Sequence, residues 1–315
     1  MGVFKDKRNF YDYSISDILG QNLKELFIFG LIEKGAFTVA EFANPNTSGM
    51  TLLQRSFDES LGGEGRIYEG LGPSWIWQTL VSVPSGFVQP FQVSGVYIDK
   101  VFHPISESGI FAHIVDYRKG RIIFDNAISG TPLVEAEYAF NDIGIYLTDE
   151  PQWKLIIDEY FEEHNKLESL QPSGLAVDIK ENRLWLPSLF IEVKERPNAR
   201  GLQLGGGDIS EFSIWYHIFT EKAFVRNRLL DILNDQFRKR IVLYDINNAP
   251  FSFNFDGSLA SGALEYPQLA TTTSPEFITF ARVESSRGGP VDNLFDIFRG
   301  QVRSIIEIDR YSASC

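Results

Sequence analysis

The chain has 315 residues, 43% of them hydrophobic, 14% aromatic and 23% charged, an ordinary globular composition with a β-leaning aromatic load and enough length for two domains of ~100–200 residues. Its formal net charge of −13, negative in both halves, argues against a surface built to clasp nucleic acid, which needs clustered Lys and Arg. A sole cysteine at Cys315, two methionines and four scattered histidines exclude an internal disulfide and leave little soft-metal ligand capacity, and no apolar run approaches the ~18 residues of a membrane span.

Residues 1–13 are charged and aromatic without a period; an arm that orders against a partner and a frayed terminus both fit. They are too polar for a signal peptide, and Asp6 stands where a myristoylation pattern wants Ser or Thr, so the expectation is a protein made in a cytosol. Ser14-Ile15-Ser16-Asp17 has the form of a capping box, and Ile15, Ile18, Leu19, Leu23, Leu26, Phe27 and Leu31 follow at helical spacing, predicting a helix to about Lys34. Ile28 and Phe29 give it a second apolar side, which suits burial between subunits as well as burial in its own domain. Turn signals at Asn44-Pro45-Asn46, Gly62-Gly63 and Gly70 to Pro73 predict a long, partly ordered loop over residues 35–75.

Strands are predicted from Trp75 to Val81 and from Phe91 to Ile98. The run from His113 to Asp125 predicts a hairpin turning at Asp116 to Gly120, where glycine can take φ > 0. Leu133 to Phe140 alternates with period two and is expected to return beside Ile122 to Phe124. The phrase Val115-Asp116-Tyr117, Gly120-Arg121-Ile122, Phe124-Asp125, with that alternating strand after it, is similar to hairpins in virion structural proteins of large bacteriophages. The similarity takes in the first helix and the phrase Gly30 to Phe37.

Glu150-Pro151 interrupts the strand-rich region and a helical stripe, Trp153, Ile156, Ile157, Tyr160 and Phe161, begins just after it. This places a boundary between a domain of residues 1–150 and one of residues 151–315; the helix fits either a connector or a first helix packed on the second sheet. The densest agreement of local signals lies in residues 186–245. Leu189, Ile191 and Val193 alternate with Phe190, Glu192 and Lys194 as in a half-buried strand, and Phe212 to Phe219 is rich in aromatic and β-branched residues and should form a central strand. Val225, Leu229, Ile232 and Leu233 then recur at helical spacing, with Leu230 and Phe237 widening the stripe, before Ile241 to Tyr244 closes as a strand. Residues 246–290 carry loop signals, with a strand at Phe277 to Val283, and a last strand is predicted from Gln301 to Tyr311.

The strand opened by Leu186-Pro187, the loop ending Leu204-Gly205-Gly206-Gly207, the helix Arg226-Asn227, Leu229, Asp231-Ile232-Leu233 and the strand ending Tyr244-Asp245 together resemble tail-terminator and neck proteins of contractile-tailed bacteriophages. The resemblance implies an α+β chain, an N-terminal helix plus an antiparallel β-sandwich or barrel domain followed by a tail-terminator-like α/β domain with helices packed on a mixed sheet. It implies no chemistry and no cofactor. It further implies a homo-oligomeric ring, sixfold or twelvefold, in the neck or tail of the virion after synthesis in the host cytoplasm. The implied partners are other phage neck, portal-adaptor and tail tube or sheath proteins, with DNA passing through the channel unread and no membrane involved.

Gly205-Gly206-Gly207 invites a phosphate-loop reading, but no Gly-Lys-Ser/Thr follows and the next element is a strand, so a tight inter-strand turn fits better. His103, His113, His164 and His217 lack paired metal spacing, no G-x-S-x-G is present, and Glu135 and Glu137 share one strand face, the pattern of a solvated face. Arg226, Arg228, Arg238, Lys239 and Arg240 form the one local basic excess. The last three complement a helix C-terminus, and a ring protein can also set such cations against a neighbour's acidic patch. Gly205, Gly206, Gly207, Arg226, Arg228, Arg238, Lys239 and Arg240 are therefore the candidate subunit or partner contacts. A second reading is a host-binding carbohydrate module of a baseplate or fibre, whose Trp75 and Trp77 stack on sugars.

Overall fold

The computed structural model describes residues 11–47, 49–56, 65–148, 185–194, 198–202, 207–244, 246, 252–272, 278–294 and 297–311. The chain is mixed α+β with antiparallel sheets, and it divides into two units, neither continuous in sequence. A short-strand unit joins Phe27–Gly144 to Pro250–Glu265, and a long-strand unit joins Met1–Leu26, Ile145–Ala249 and Tyr266–Cys315. The boundary expected at Glu150-Pro151 and the helix expected over residues 153–161 lie outside the described residues.

Helix α1 (Ile15–Glu33) begins at the predicted cap. The Ser14 amide donates to Asp17 Oδ2 at 2.8 Å and the Asp17 amide to Ser14 Oγ at 3.2 Å, satisfying two of the amides a helix N-terminus leaves bare. It ends at Gly35 (φ +79°), which lets the Ala36 amide reach Leu31 O and the Gly35 amide Ile32 O, a Schellman closure that no β-carbon-bearing residue adopts as readily. Ile18, Leu19, Leu23, Phe27 and Leu31 are buried, and so is Phe29 from the second apolar side.

Among the described residues of the short-strand unit no strand exceeds four residues. They are β1 (Phe37–Ala40), β2 (Gln54–Arg55), β3 (Ile67–Glu69), β4 (Gly95–Ile98), β5 (Val101–Pro104), β6 (His113–Asp116), β7 (Arg121–Phe124), β8 (Val134–Glu135) and β9 (Tyr138–Asn141). They pair antiparallel as sheets β2-β3-β7-β6, β5-β4-β8 and β1-β9. The predicted hairpin forms as β6–β7, its turn closed by Gly120 at φ +65°.

Three expectations are corrected here. Residues 35–75 are not one loop but hold β1, β2 and β3. Trp75 to Val81 joins no ladder beyond a single bridge from Trp75 to Phe140; Trp75, Ile76, Trp77 and Val81 are buried while Leu80 is exposed, and Trp75 stacks on Tyr138 at 4.2 Å. Leu133 to Phe140 does not lie beside β7, which pairs with β3; the run breaks at Ala136 into β8 on β4 and β9 on β1. Alternation reports which face a side chain takes but not which strand is its neighbour.

The long-strand unit holds β10 (Gly144–Leu147), β11 (Ser188–Val193), β12 (Asn198–Leu202), β13 (Gly207–Thr220), α2 (Ala223–Asn234), β14 (Arg240–Tyr244), α3 (Tyr266–Thr272), β15 (Ile278–Leu294) and β16 (Ile297–Tyr311). Their order is β10-β11-β13-β16-β15-β14, with β12 also on β13. The mixed sheet expected in this half is antiparallel at β11·β13, β12·β13, β13·β16, β15·β16 and β14·β15. Between α1 and the sheet edge, buried Asn22 imitates a neighbouring strand: its Nδ2 donates to Tyr244 O and its Oδ1 accepts the Tyr244 amide, both at 3.0 Å. Among the described residues no helix is long and apolar enough to cross a membrane.

Candidate functional site

The central strand β13 decides what the long-strand unit offers to its surroundings. From Glu211 to Ile218 its residues alternate half-buried and buried, and β16 does the same from Gln301 to Ile308 except that Arg303 is exposed. A strand's period of two therefore puts Phe212, Ile214, Tyr216 and Ile218 on one face with Val302, Ser304, Ile306 and Ile308. Helix α2 closes that face with Leu229, Leu230 and Leu233, all buried. Gly300 allows the close approach: a β-carbon there would lie 3.2 Å from Leu230 Cδ2 and 3.3 Å from Ile218 Cδ1. Ser286 Oγ donates to Leu233 O at 2.8 Å, which fastens the last turn of the helix to β15.

The opposite face is polar along its middle. Antiparallel registry lines up Glu192, Trp215, Arg303 and Arg287 in one row across four strands, and Phe190, His217, Gln301 and Gly289 in the next. His217 Nε2 and Glu192 Oε2 are 2.9 Å apart, Lys194 also donates to Glu192, and Gln301 Nε2 is 3.4 Å from His217 Nδ1. Partial burial alone would raise the Glu192 carboxyl, but the hydrogen bonds from Lys194 and His217 outweigh it and hold the group below the usual carboxylate range. Arg303 donates from Nε to Ser213 Oγ at 3.0 Å and its guanidinium lies 5.8 Å from the Trp215 ring centroid. At one end the same face is sealed by an apolar cluster of Phe190, Phe219 and Ile297 with Tyr146.

A histidine held by a carboxylate can act as a base, so its neighbours matter. Ser213 lies on the same face four residues from His217, roughly 13 Å along the strand, with Trp215 between them and its hydroxyl taken by Arg303. Glu192 is thus balanced by Lys194 and His217, whereas Arg303 and Arg287 stand opposite each other on the ladder, as do Glu211 and Glu307. Acidic Glu192, Glu211 and Glu307 share this face with basic Lys194, Arg287 and Arg303, so neither sign is concentrated on it.

The predicted contact residues are scattered by the fold. Gly205 and Gly206 lie outside the described residues; Gly207 opens β13 and pairs with Leu202 and Tyr311. Arg226, half-buried, bonds Asn227 Oδ1 and lies over the Phe298 ring at 5.6 Å, while Arg228 is exposed. Arg238, Lys239 and Arg240 are exposed where α2 turns into β14, with Arg238 at φ +63° and its amide on Val283 O at 2.8 Å. Arg240 stands opposite Arg282, a neighbour only the register reveals, and Arg282 is ion-paired with Glu284 at 2.9 Å, so the basic excess stops at β14. Phe237, expected within the apolar stripe of α2, falls past the helix end and is exposed.

The other candidates fall in the short-strand unit. Trp75 and Trp77 are 2% and 4% exposed, so neither ring face is open to a sugar. Asp116 is buried and ion-paired with Arg121 at 3.0 Å; its other oxygen accepts the amides of Arg118 and Lys119. His103 Nδ1 lies 2.8 Å from Glu107, whereas His113 donates from Nδ1 to Phe111 O and is held below the usual histidine range by burial; His164 lies outside the described residues. Glu135 and Glu137, half-buried, accept from Thr51 Oγ1 and the Phe42 amide, so their face is less free than a solvated one. Among the described residues no three His, Cys, Asp or Glu gather as metal ligands.

The exposed aromatic surface lies elsewhere, on sheet β5-β4-β8. Tyr97 faces Phe102 across one strand pair and Glu135 across the other, Leu52 bridges to Glu135, and the Phe42 ring meets Tyr97 edge-on at 4.8 Å. Of this strip the sequence showed the alternating run Leu133 to Phe140, which holds Glu135, but not the strands it would lie beside. Comparison with protein-family models and with curated proteins found no match for this chain.

Proposed function

We propose that this chain is a virion structural protein of a tailed bacteriophage, a neck component of the head-to-tail connector or tail-terminator kind that assembles as a ring around the DNA channel. The observation that carries the reading is the long-strand sheet. Strands of 14, 15 and 17 residues run side by side, α2 covers one face, and the other carries acidic Glu192, Glu211 and Glu307 together with basic Lys194, Arg287 and Arg303, with no excess of either sign among these six. A wall of that kind stays hydrated and has little net attraction for a polyanion, which suits DNA that must pass without being gripped. The finer architecture that accompanies it is an N-terminal helix with a β-sandwich or barrel domain, then a tail-terminator-like domain. Its partners are further copies in a sixfold or twelvefold ring and the adjoining neck, portal-adaptor and tube or sheath proteins.

Negative-stain imaging of the purified chain, with a glycan-array measurement beside it, tests the reading. Closed rings with a central channel and no glycan signal are the expected result. Isolated particles that bind a glycan would overturn it in favour of a host-binding module, although Trp75 and Trp77 would then have to be replaced by exposed rings such as Phe42 and Phe102.

A further inference from the structure

One loop of the short-strand unit presents an aromatic side chain entirely to solvent on a frame with almost no freedom. Phe255 has 103% of the exposure of an extended chain. Around it the Asn254 amide donates to Ser258 O at 2.8 Å, and Asp256 Oδ1 accepts both the Ser258 amide and its hydroxyl at 2.9 and 2.6 Å. The loop is fastened to the β6–β7 turn: Tyr117 donates its amide to Gly257 O, Arg118 donates from its guanidinium to Phe255 O at 2.7 Å, and Phe253 packs on Tyr117 and Trp77. Gly257 stands at φ +85°, and a β-carbon there would strike the Asp116 carboxylate. The cost of ordering this loop is already met in the free chain, so an apolar contact made by Phe255 is not offset by lost loop entropy. Arg118 and Lys119, exposed beside it, outnumber the exposed Asp256 carboxylate of the same loop, which is bonded to Ser258, so the tip is an aromatic knob with a net cationic collar.

The same unit carries a complementary surface. The strip Phe102, Tyr97, Glu135 and Leu52, with Phe42 against Tyr97 and Glu137 bonded to the Phe42 amide, is aromatic and apolar with carboxylates set into it. Phe102, Phe42 and Leu52 are each 42% exposed. We propose that the Phe255 knob of one copy docks on the Phe42–Tyr97–Phe102 strip of a neighbouring copy, the Arg118 and Lys119 collar lying against Glu135 and Glu137. Knob and strip are different residues, so the contact is heterologous: each copy uses its knob on one neighbour and its strip on the other, and such contacts close into a ring when the rotation allows. Buried aromatic anchors with paired charges at the rim are where interface energy concentrates. This inference rests on the ring reading and names the contact that builds the ring.

Two measurements on the full chain test it. Native mass spectrometry over a concentration series compares the wild type with Phe255→Ser, whose unfolding midpoint should be unchanged because the ring touches solvent; assembly should weaken at least tenfold. In a Cys315→Ser background, chains carrying Lys119→Cys and Leu52→Cys, which keep Phe255 and the Phe42–Tyr97–Phe102 strip, are oxidised singly and mixed; a disulfide-linked dimer should form in the mixture and in neither alone. A wild type that forms rings while Phe255→Ser assembles equally well, or while the mixture gives no cross-link, overturns this contact and leaves the ring reading standing. A wild type that stays monomeric at every concentration overturns both.

Discussion

The two units reach order by different routes. In the long-strand unit a single register runs for fourteen residue pairs between β13 and β16, so each residue's place is fixed by its neighbours on the ladder and by α2 pressing on one face. Among the described residues of the short-strand unit no strand exceeds four residues, and side chains that bond to backbone carry much of the organisation. Tyr138 donates its hydroxyl to Met50 O and accepts the Leu71 amide, both at 2.8 Å. Buried Glu265 accepts the amides of Thr79 and Leu80 at 2.7 and 3.0 Å, and Asp116 ties three groups of the β6–β7 turn to one carboxylate. Long ladders resist the loss of any one side chain's polar contact, whereas a unit pinned by individual polar groups depends on each of them.

That contrast can be broken, most severely at Asp116. Asp116→Ala removes the carboxylate to which buried Arg121 donates and should cost about 3–5 kcal/mol in chemical unfolding. Amide exchange should rise in the short-strand unit and stay unchanged in β13 and β16; equal loosening of both would refute the division of labour. On the other side, Leu233→Ala in α2 leaves a cavity over the sheet and should cost about 2–5 kcal/mol, with the loss of protection confined to the long-strand unit. A smaller effect, about 1–3 kcal/mol, is expected from Glu265→Ala, because the Thr79 and Leu80 amides lose an acceptor. Asn22→Ala belongs to the same range and tests whether one buried amide holds the β14 edge, read as faster exchange at Tyr244.

Acid supplies the mildest test. Burial holds His113 neutral and lowers its pKa from 6.5, so the unfolded chain takes up a proton at a higher pH than the folded one. The stability this contributes is fully present above the unfolded value and is lost as pH falls from about 6.5 towards the folded pKa. His113→Phe should flatten that part of the pH profile of the short-strand unit, and an unchanged slope would show that other groups set it.

How far the sequence could be read follows the same division. The Ser14 cap, the β6–β7 hairpin, β13, α2 and β14 are local: a capping box, a turn with Gly120 and a change of period from two to helical each declare themselves within a few residues. The pairing of β8 with β4 and of β9 with β1 is set by contacts far along the chain and by a break at Ala136 that alternation does not mark. Trp75 and Trp77 were legible as aromatic but not as buried, since a run of aromatic residues describes a core and a surface equally. The basic set at Arg238 to Arg240 was visible, whereas its end at Arg282, opposite Arg240 and ion-paired with Glu284, needed the β14·β15 register. The Phe255 knob was hidden because Asn254 to Ser258 reads as an ordinary polar turn until its bonds to Tyr117 and Arg118 are known.

The account turns on this chain being made to meet copies of itself. Native mass spectrometry of the wild-type protein, from nanomolar to tens of micromolar, addresses that most directly. A single closed species of six or twelve copies, appearing cooperatively with concentration, is the predicted result; monomer throughout the range would contradict it.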